Sequence, residues 1–193
     1  MSTISSQEAT KEVFKSGFVT LIGRPSAGKS SLLNALMGKK LAISSPTAQT
    51  TRHRFRAVHT TDSHQIIIVD TPGVHKPHDT LGEELNTTAL KSLEGIDVAA
   101  FVLDASAPFG TGDEWVISQL AQCSMPKLLV LSKIDLVTQE ELELQRQRAL
   151  EAGQWDGVVA LSSVTGEQID TFIELVEQIF AGWSSLVSCR YGN

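Results

Sequence analysis

The sequence predicts an α/β fold, a mainly parallel six-stranded sheet with helices on both faces. Two observations carry this. Short apolar runs alternate with helical stretches along most of the chain, and such alternation closes into a parallel sheet covered by helices. Turns bearing Gly, Asp, Ser and Lys follow directly after several of those runs, at the carboxyl ends of strands where sheets of this kind bind ligands. A length of 193 residues favours one domain and is ample for a buried core. With 41% apolar and 20% charged residues, the chain reads as globular rather than disordered.

Taken in order, residues 1–16 form a polar leader, 17–181 the folded domain and 182–193 a short tail. Phe18–Ile22 reads as a buried strand and Ser30–Met37 as the helix after it. The stretch from about Lys40 to Arg54 shows neither period, and so long a loop in a compact domain is usually functional. Gln65–Val69, rich in β-branched residues, is the next strand. Val98–Leu103, Lys127–Leu131 and Val158–Leu161 complete the runs that can be located, one fewer than the sheet is expected to hold. Three helices open on a capping-box pattern: Thr80 to Glu83, Thr138 to Glu141, and Thr165 to Gln168. In the last helix Ile169, Phe172, Ile173, Val176, Ile179 and Phe180 form one apolar stripe.

Sixteen basic against twenty-two acidic residues give a net charge of -6, which argues against clamping nucleic acid by charge alone. Cys123 and Cys189 make neither a disulfide framework nor a metal spacing, and Cys123 is expected half-buried on a helix. No stretch approaches the roughly 20 apolar residues that cross a bilayer, and the leader has no apolar segment. The expected setting is the cytoplasm. His75 and His78 lack acidic or cysteine companions at metal-binding spacing and read as solvated.

Gly23-Arg24-Pro25-Ser26-Ala27-Gly28-Lys29-Ser30 fits the phosphate-loop pattern, between a strand and a helix that continues with Ser31. Its glycines let the backbone curl so that N–H groups point at phosphate oxygens, and the helix amino terminus adds unpaired donors. Lys29 is expected to contact the β- and γ-phosphates and Ser30 to ligate Mg²⁺. This makes the fold a P-loop NTPase, but it does not separate ATP from GTP, or a kinase from a switch.

Asp70-Thr71-Pro72-Gly73 follows the strand ending at Val69. Asp70 is placed to hold Mg²⁺, often through water, and the Gly73 N–H can approach a γ-phosphate closely. In isolation this would be an ordinary Pro-Gly turn. In Ala48-Gln49-Thr50-Thr51-Arg52-His53, Thr51 is the candidate for a second hydroxyl ligand and Thr50 the alternative. Ser132-Lys133-Ile134-Asp135 follows another strand. Asp135 can accept from guanine N1–H and its exocyclic amine, donors that adenine lacks on that edge. The Lys133 stem can lie over the base. Asn is usual where this chain has Ser132; the shorter side chain predicts a lost bridging contact and weaker nucleotide binding. Ser162-Ser163 follows the final strand, with the Ser163 N–H aimed at guanine O6 and Thr165 expected to cap the last helix.

These motifs resemble the Era family of bacterial ribosome-assembly GTPases, most particularly in GRPSAGKSSLLNAL, AQTTRHR, VDTPGVHKP and LSKIDLV, over about Gly17 to Phe180. The resemblance implies GTP and GDP as ligands with Mg²⁺, and hydrolysis of GTP as a molecular switch. Gln49–His53 would be the first switch, with Thr51 closing over the metal, and Thr71 to about Asp79 the second. Lys29, Thr51 and Gly73 would carry catalysis. Val74 stands where Ras-like enzymes have a glutamine that orients water, so slow intrinsic turnover is expected. Relatives that use potassium to accelerate hydrolysis have Asn where this chain has Ser26, a departure that counts against cation activation.

Partners implied by the resemblance are the small ribosomal subunit and its RNA. Era-type proteins reach that RNA through a KH domain, and no GXXG-bearing KH module lies within these residues. The expectation is therefore a monomeric GTPase domain, either a truncated piece or a form lacking the RNA-reading half, with peripheral membrane association open. Two other readings stay open: a guanine-nucleotide module that docks a partner with negligible hydrolysis, and an ATP-using kinase.

Overall fold

The computed structural model describes residues 15–38, 54–60, 64–70, 93 and 95–183. In chain order these form β1 (Lys15–Ile22), α1 (Lys29–Gly38), β2 (Arg54–Thr60), β3 (His64–Asp70), β4 (Val98–Asp104), α2 (Thr111–Leu120), β5 (Lys127–Ser132), a short 3₁₀ turn (Ile134–Leu136), α3 (Gln139–Ala152), β6 (Gly157–Ala160) and α4 (Ile169–Trp183). The six strands lie in the order β2-β3-β1-β4-β5-β6. All neighbours run parallel except the β2–β3 pair. The predicted class is therefore the observed one.

The central strand β4 shows why. Val98, Ala100 and Val102 point into one apolar cluster, and Ala99, Phe101 and Leu103 into the other. All are essentially without solvent contact, so the strand reads as one continuous apolar run, as a strand covered on both faces must. The first cluster takes Leu32 and Leu36 from α1 and Ile169, Phe172, Val176 and Phe180 from α4. The second takes Val116, Ile117 and Leu120 from α2 and Ala149 from α3. The stripe read in the last helix is thus the face that meets the sheet. Burial of each such large side chain contributes about 1.5–3 kcal/mol.

Strand starts are fixed by a device that recurs. Asp97, just before β4, accepts from the Phe18 N–H of β1 (2.7 Å) while its own N–H donates to Phe18 O (2.9 Å). Asp156, just before β6, does the same for Lys127 at the head of β5 (2.8 and 2.8 Å). Each carboxylate accepts a backbone N–H from the neighbouring strand, on the side of the sheet remote from the motif-bearing turns.

Three expectations need correction. The sixth strand, β2, begins at the end of the patternless stretch and pairs antiparallel with β3, with an irregularity between Phe55 and Ala57. That bulge shifts the phase of the strand, so no clean alternation survives in the sequence. The Thr138–Glu141 capping box forms, with Thr138 N–H to Glu141 Oε2 at 2.8 Å and Glu141 N–H to Thr138 Oγ1 at 3.3 Å. The Thr165–Gln168 box does not. Gly166 makes a turn at φ 80° back to Ser162 O, Gln168 sits at φ 59°, and α4 starts at Ile169. Thr165 Oγ1 instead accepts from the Glu167 N–H. Cys123 is half-buried as expected but lies in the turn after α2. The Thr80–Glu83 box, His75 and His78 fall outside the described residues.

Candidate functional site: a phosphate loop bridged to a base-reading turn

The carboxyl edge of the sheet gathers the motif-bearing turns that follow β1, β5 and β6, and Asp70 ends β3 at the same edge. After Ile22 the chain must pass close to β4: a Cβ added to Gly23 would lie 2.3 Å from Val102 O, and Gly23 adopts φ 155°. Only glycine fits both demands. Ser26 then takes φ 62° and Gly28 φ 95°, which curls the loop before α1 begins with the Leu32 N–H to Gly28 O bond (2.8 Å). Lys29 Nζ donates to Gly23 O (2.7 Å) and Arg24 O (2.6 Å), so its ammonium is held against the loop itself. Pro25, Ser26, Ser30 and Ser31 are exposed, whereas Ala27 is buried.

Arg24 behaves differently from its neighbours. Its guanidinium bonds the buried carboxylate of Asp113 in α2, 2.9 Å away, so its charge is paired within the fold.

The turn expected to read the base is tied to the glycine-rich loop by Ser132. This buried hydroxyl lies 2.6 Å from Ala27 O and 3.1 Å from Leu103 O. Short as it is, Ser132 does bridge to the phosphate loop. Gly28 permits that approach, since a Cβ there would stand 3.3 Å from Ser132 Oγ. Lys133 follows at φ 61°, which sends its side chain along the loop to an ion pair with Asp104 at the end of β4. Burial pushes the Asp104 carboxyl up, but the bonds from Lys133 and Ser106 outweigh it and hold the group below the usual carboxylate range.

Asp135 stands exposed in the 3₁₀ turn. Ser162 Oγ donates to its Oδ1 (2.6 Å) and itself accepts from the N–H groups of Val164 (3.2 Å) and Thr165 (3.1 Å). The hydroxyl thus relays the polarity of two backbone amides onto the carboxylate and fixes its orientation. The Ile134 N–H reaches Leu161 O (3.4 Å), which holds the Ser132–Asp135 turn against the end of β6, just ahead of Ser163.

Sequence reasoning missed Asp104 and Asp113. Asp104 had a signal, because it ends an apolar strand as Asp70 does. Asp113 had none, lying in a helix with no motif. Thr50, Thr51, Thr71, Pro72, Gly73 and Val74 fall outside the described residues; of Asp70 the backbone position at the end of β3 is described. Among the described residues no group of three or more His, Cys, Asp or Glu side chains assembles a metal cage. A hydroxyl on α1 and a carboxylate residue at the end of β3 are hard oxygen donors on adjacent strand–turn units. That set suits Mg²⁺, which takes few protein ligands and completes its shell with phosphate and water.

Comparison with known proteins agrees with this geometry. GTPase Era of Leuconostoc citreum is 41% identical over 168 residues, covering 86% of this chain and 55% of the relative. A variant of Aquifex aeolicus Era bound to GDP·AlF4⁻ superposes with a TM-score of 0.69 at 32% identity, over 86% of this chain and 57% of that one. Era in complex with MgGDPNP and nucleotides 1506–1542 of 16S ribosomal RNA matches with the same score, identity and coverage. The chain thus spans little more than half the length of the relatives it matches. The profile of the family described as 50S ribosome-binding GTPase matches residues 18–133. With that match over more than half its length, the chain belongs to the 50S ribosome-binding GTPase family.

Proposed function

We propose that the chain binds GTP with Mg²⁺ and hydrolyses it to GDP and phosphate, as a switch in assembly of the small ribosomal subunit. The observation that carries the nucleotide reading is the Ser132 bridge, which locks a phosphate loop to a turn bearing Asp135. That linkage sets the distance between a phosphate cradle and a guanine-selective carboxylate. Backbone N–H groups within 26–29 and the start of α1 bind phosphate oxygens, and Lys29 leaves two carbonyls for stronger charge-assisted partners. Asp135, oriented by Ser162, accepts from the guanine edge, and the Lys133 stem flanks the base. Ser30, Asp70 and Thr51 would hold Mg²⁺, which neutralises charge developing on the transferred phosphoryl group. Thr71, Pro72 and Gly73 would face the γ-phosphate, with Val74 leaving the attacking water without a side-chain base.

The ribosomal role rests on the Era relatives, one of which is seen with MgGDPNP and 16S ribosomal RNA. Net charge of -6 is in keeping with RNA contact made through another module. Single-turnover hydrolysis tests the enzyme reading, with Lys29→Ala as blank. Phosphate release above that blank is expected; none would leave a nucleotide-dependent docking module. Equal displacement of a fluorescent guanine nucleotide by GDP and ADP would refute guanine selection.

A further inference from the structure

Asp113 lies outside every nucleotide motif, yet it is 2% exposed and carries two bonds on one oxygen. Oδ2 accepts from the Gly110 N–H (3.1 Å), closing the amino terminus of α2, and from Arg24 NH1 (2.9 Å) in the phosphate loop. A buried carboxylate is costly unless both paired and hydrogen-bonded, and this one is satisfied only by gripping two elements together. Arg24 is the residue whose carbonyl receives both the Ala27 N–H (3.3 Å) and Lys29 Nζ (2.6 Å). Its side chain also passes tightly over α2, where a Cβ on Gly112 would stand 3.3 Å from Arg24 Cδ.

We propose that Asp113 is a positioning residue for nucleotide binding: through Arg24 it fixes the turn of the phosphate loop that presents Lys29, and so couples α2 to the state of that loop. The inference rests on the guanine-nucleotide reading above and deepens it. Arg24 and Ala27 bracket the loop from opposite sides, one held by Asp113 and the other by Ser132. Together these anchors remove the freedom that the loop would otherwise lose on binding, which is preorganisation.

A double-mutant cycle tests this on the whole chain, with Arg24→Gln, Asp113→Asn and the pair, changes that remove each charge and keep a polar side chain. Fluorescent-GDP affinity is measured beside the thermal midpoint of the nucleotide-free protein. Because Arg24 is partly exposed, each single change is expected to weaken GDP binding about fivefold. The pair should weaken it no more than either alone, and Arg24→Lys should restore most of the loss. Loss of midpoint with unchanged affinity would overturn the inference, leaving Asp113 a helix cap. Additive losses, near ~25-fold for the pair, would overturn it too, since independent sites add. An unaltered chain that fails to bind GDP would refute the guanine reading and this inference with it. An unaltered chain that binds while Asp113→Asn binds equally well refutes the inference alone.

Discussion

Ser132 has one hydroxyl proton and stands within bonding distance of two buried carbonyls, Ala27 O and Leu103 O. Replacing it by alanine leaves both without that donor, at a cost of about 1–3 kcal/mol. Ser132→Ala is therefore expected to lower stability by that order in urea unfolding and to weaken fluorescent-GDP binding as the loop relaxes. Unchanged affinity would show that the bridge is structural only. The motif residues were legible because four fixed positions within eight residues, set between a strand and a helix, define a phosphate loop without reference to anything distant. The role of Ser132 was not legible. Its partner Ala27 lies 105 residues away, and a local reading saw only a side chain shorter than the usual Asn, with one bridging contact fewer. Arg24 was read as a ligand contact from its place in the motif, while its charge is committed to Asp113 by packing that no spacing reveals.

At the scale of elements, five strands announced themselves as apolar runs because each is paired in parallel and covered by helices. The edge strand β2 did not, since its bulge breaks the period. The α4 start misled for another reason: Thr165 and Gln168 match a capping box, but Ser162 had already engaged the Thr165 N–H. The start of β4 supplies a testable pH effect. Burial raises the Asp97 carboxyl above its ordinary 3.8, with the Phe18 N–H bond opposing more weakly. A raised carboxyl contributes stability below the unfolded value of 3.8 and loses it as pH rises through the folded value. Asp97→Asn keeps the acceptor for Phe18 and removes the buried charge. Thermal melts should then show the variant at or above the unaltered chain at pH 7, with the advantage shrinking toward pH 3.8. An advantage that grew on acidification would contradict the assignment.

Across the whole molecule, chemistry and fixation sit at opposite edges of one sheet. The phosphate loop, Asp70, Asp104, Ser132–Asp135 and Ser162 share the carboxyl edge, while Asp97 and Asp156 hold strand starts at the other. A ligand that joins three strand ends should stabilise the fold as a unit. With GDP and Mg²⁺ at a hundred times the dissociation constant, mass action adds about 2.7 kcal/mol. For a chain of this size that is a rise in Tm of roughly 5–11 °C. Chelating the metal should remove part of the gain, whereas ADP should give little; an equal rise with ADP would count against Asp135 as the selector.

The two outer strands have a consequence for how copies of the chain meet in a crowded solution. An open sheet ends in rows of unpaired amides and carbonyls, which invite another sheet to add on and can seed filaments. Here one boundary strand, β6, is four residues long, and the other, β2, carries a bulge that disturbs its ladder. Brevity blunts one end and distortion the other. The irregularity that hid β2 from a reading of the sequence is thus also a guard against self-association, and straightening it would extend a template for aggregation at the rim of the molecule.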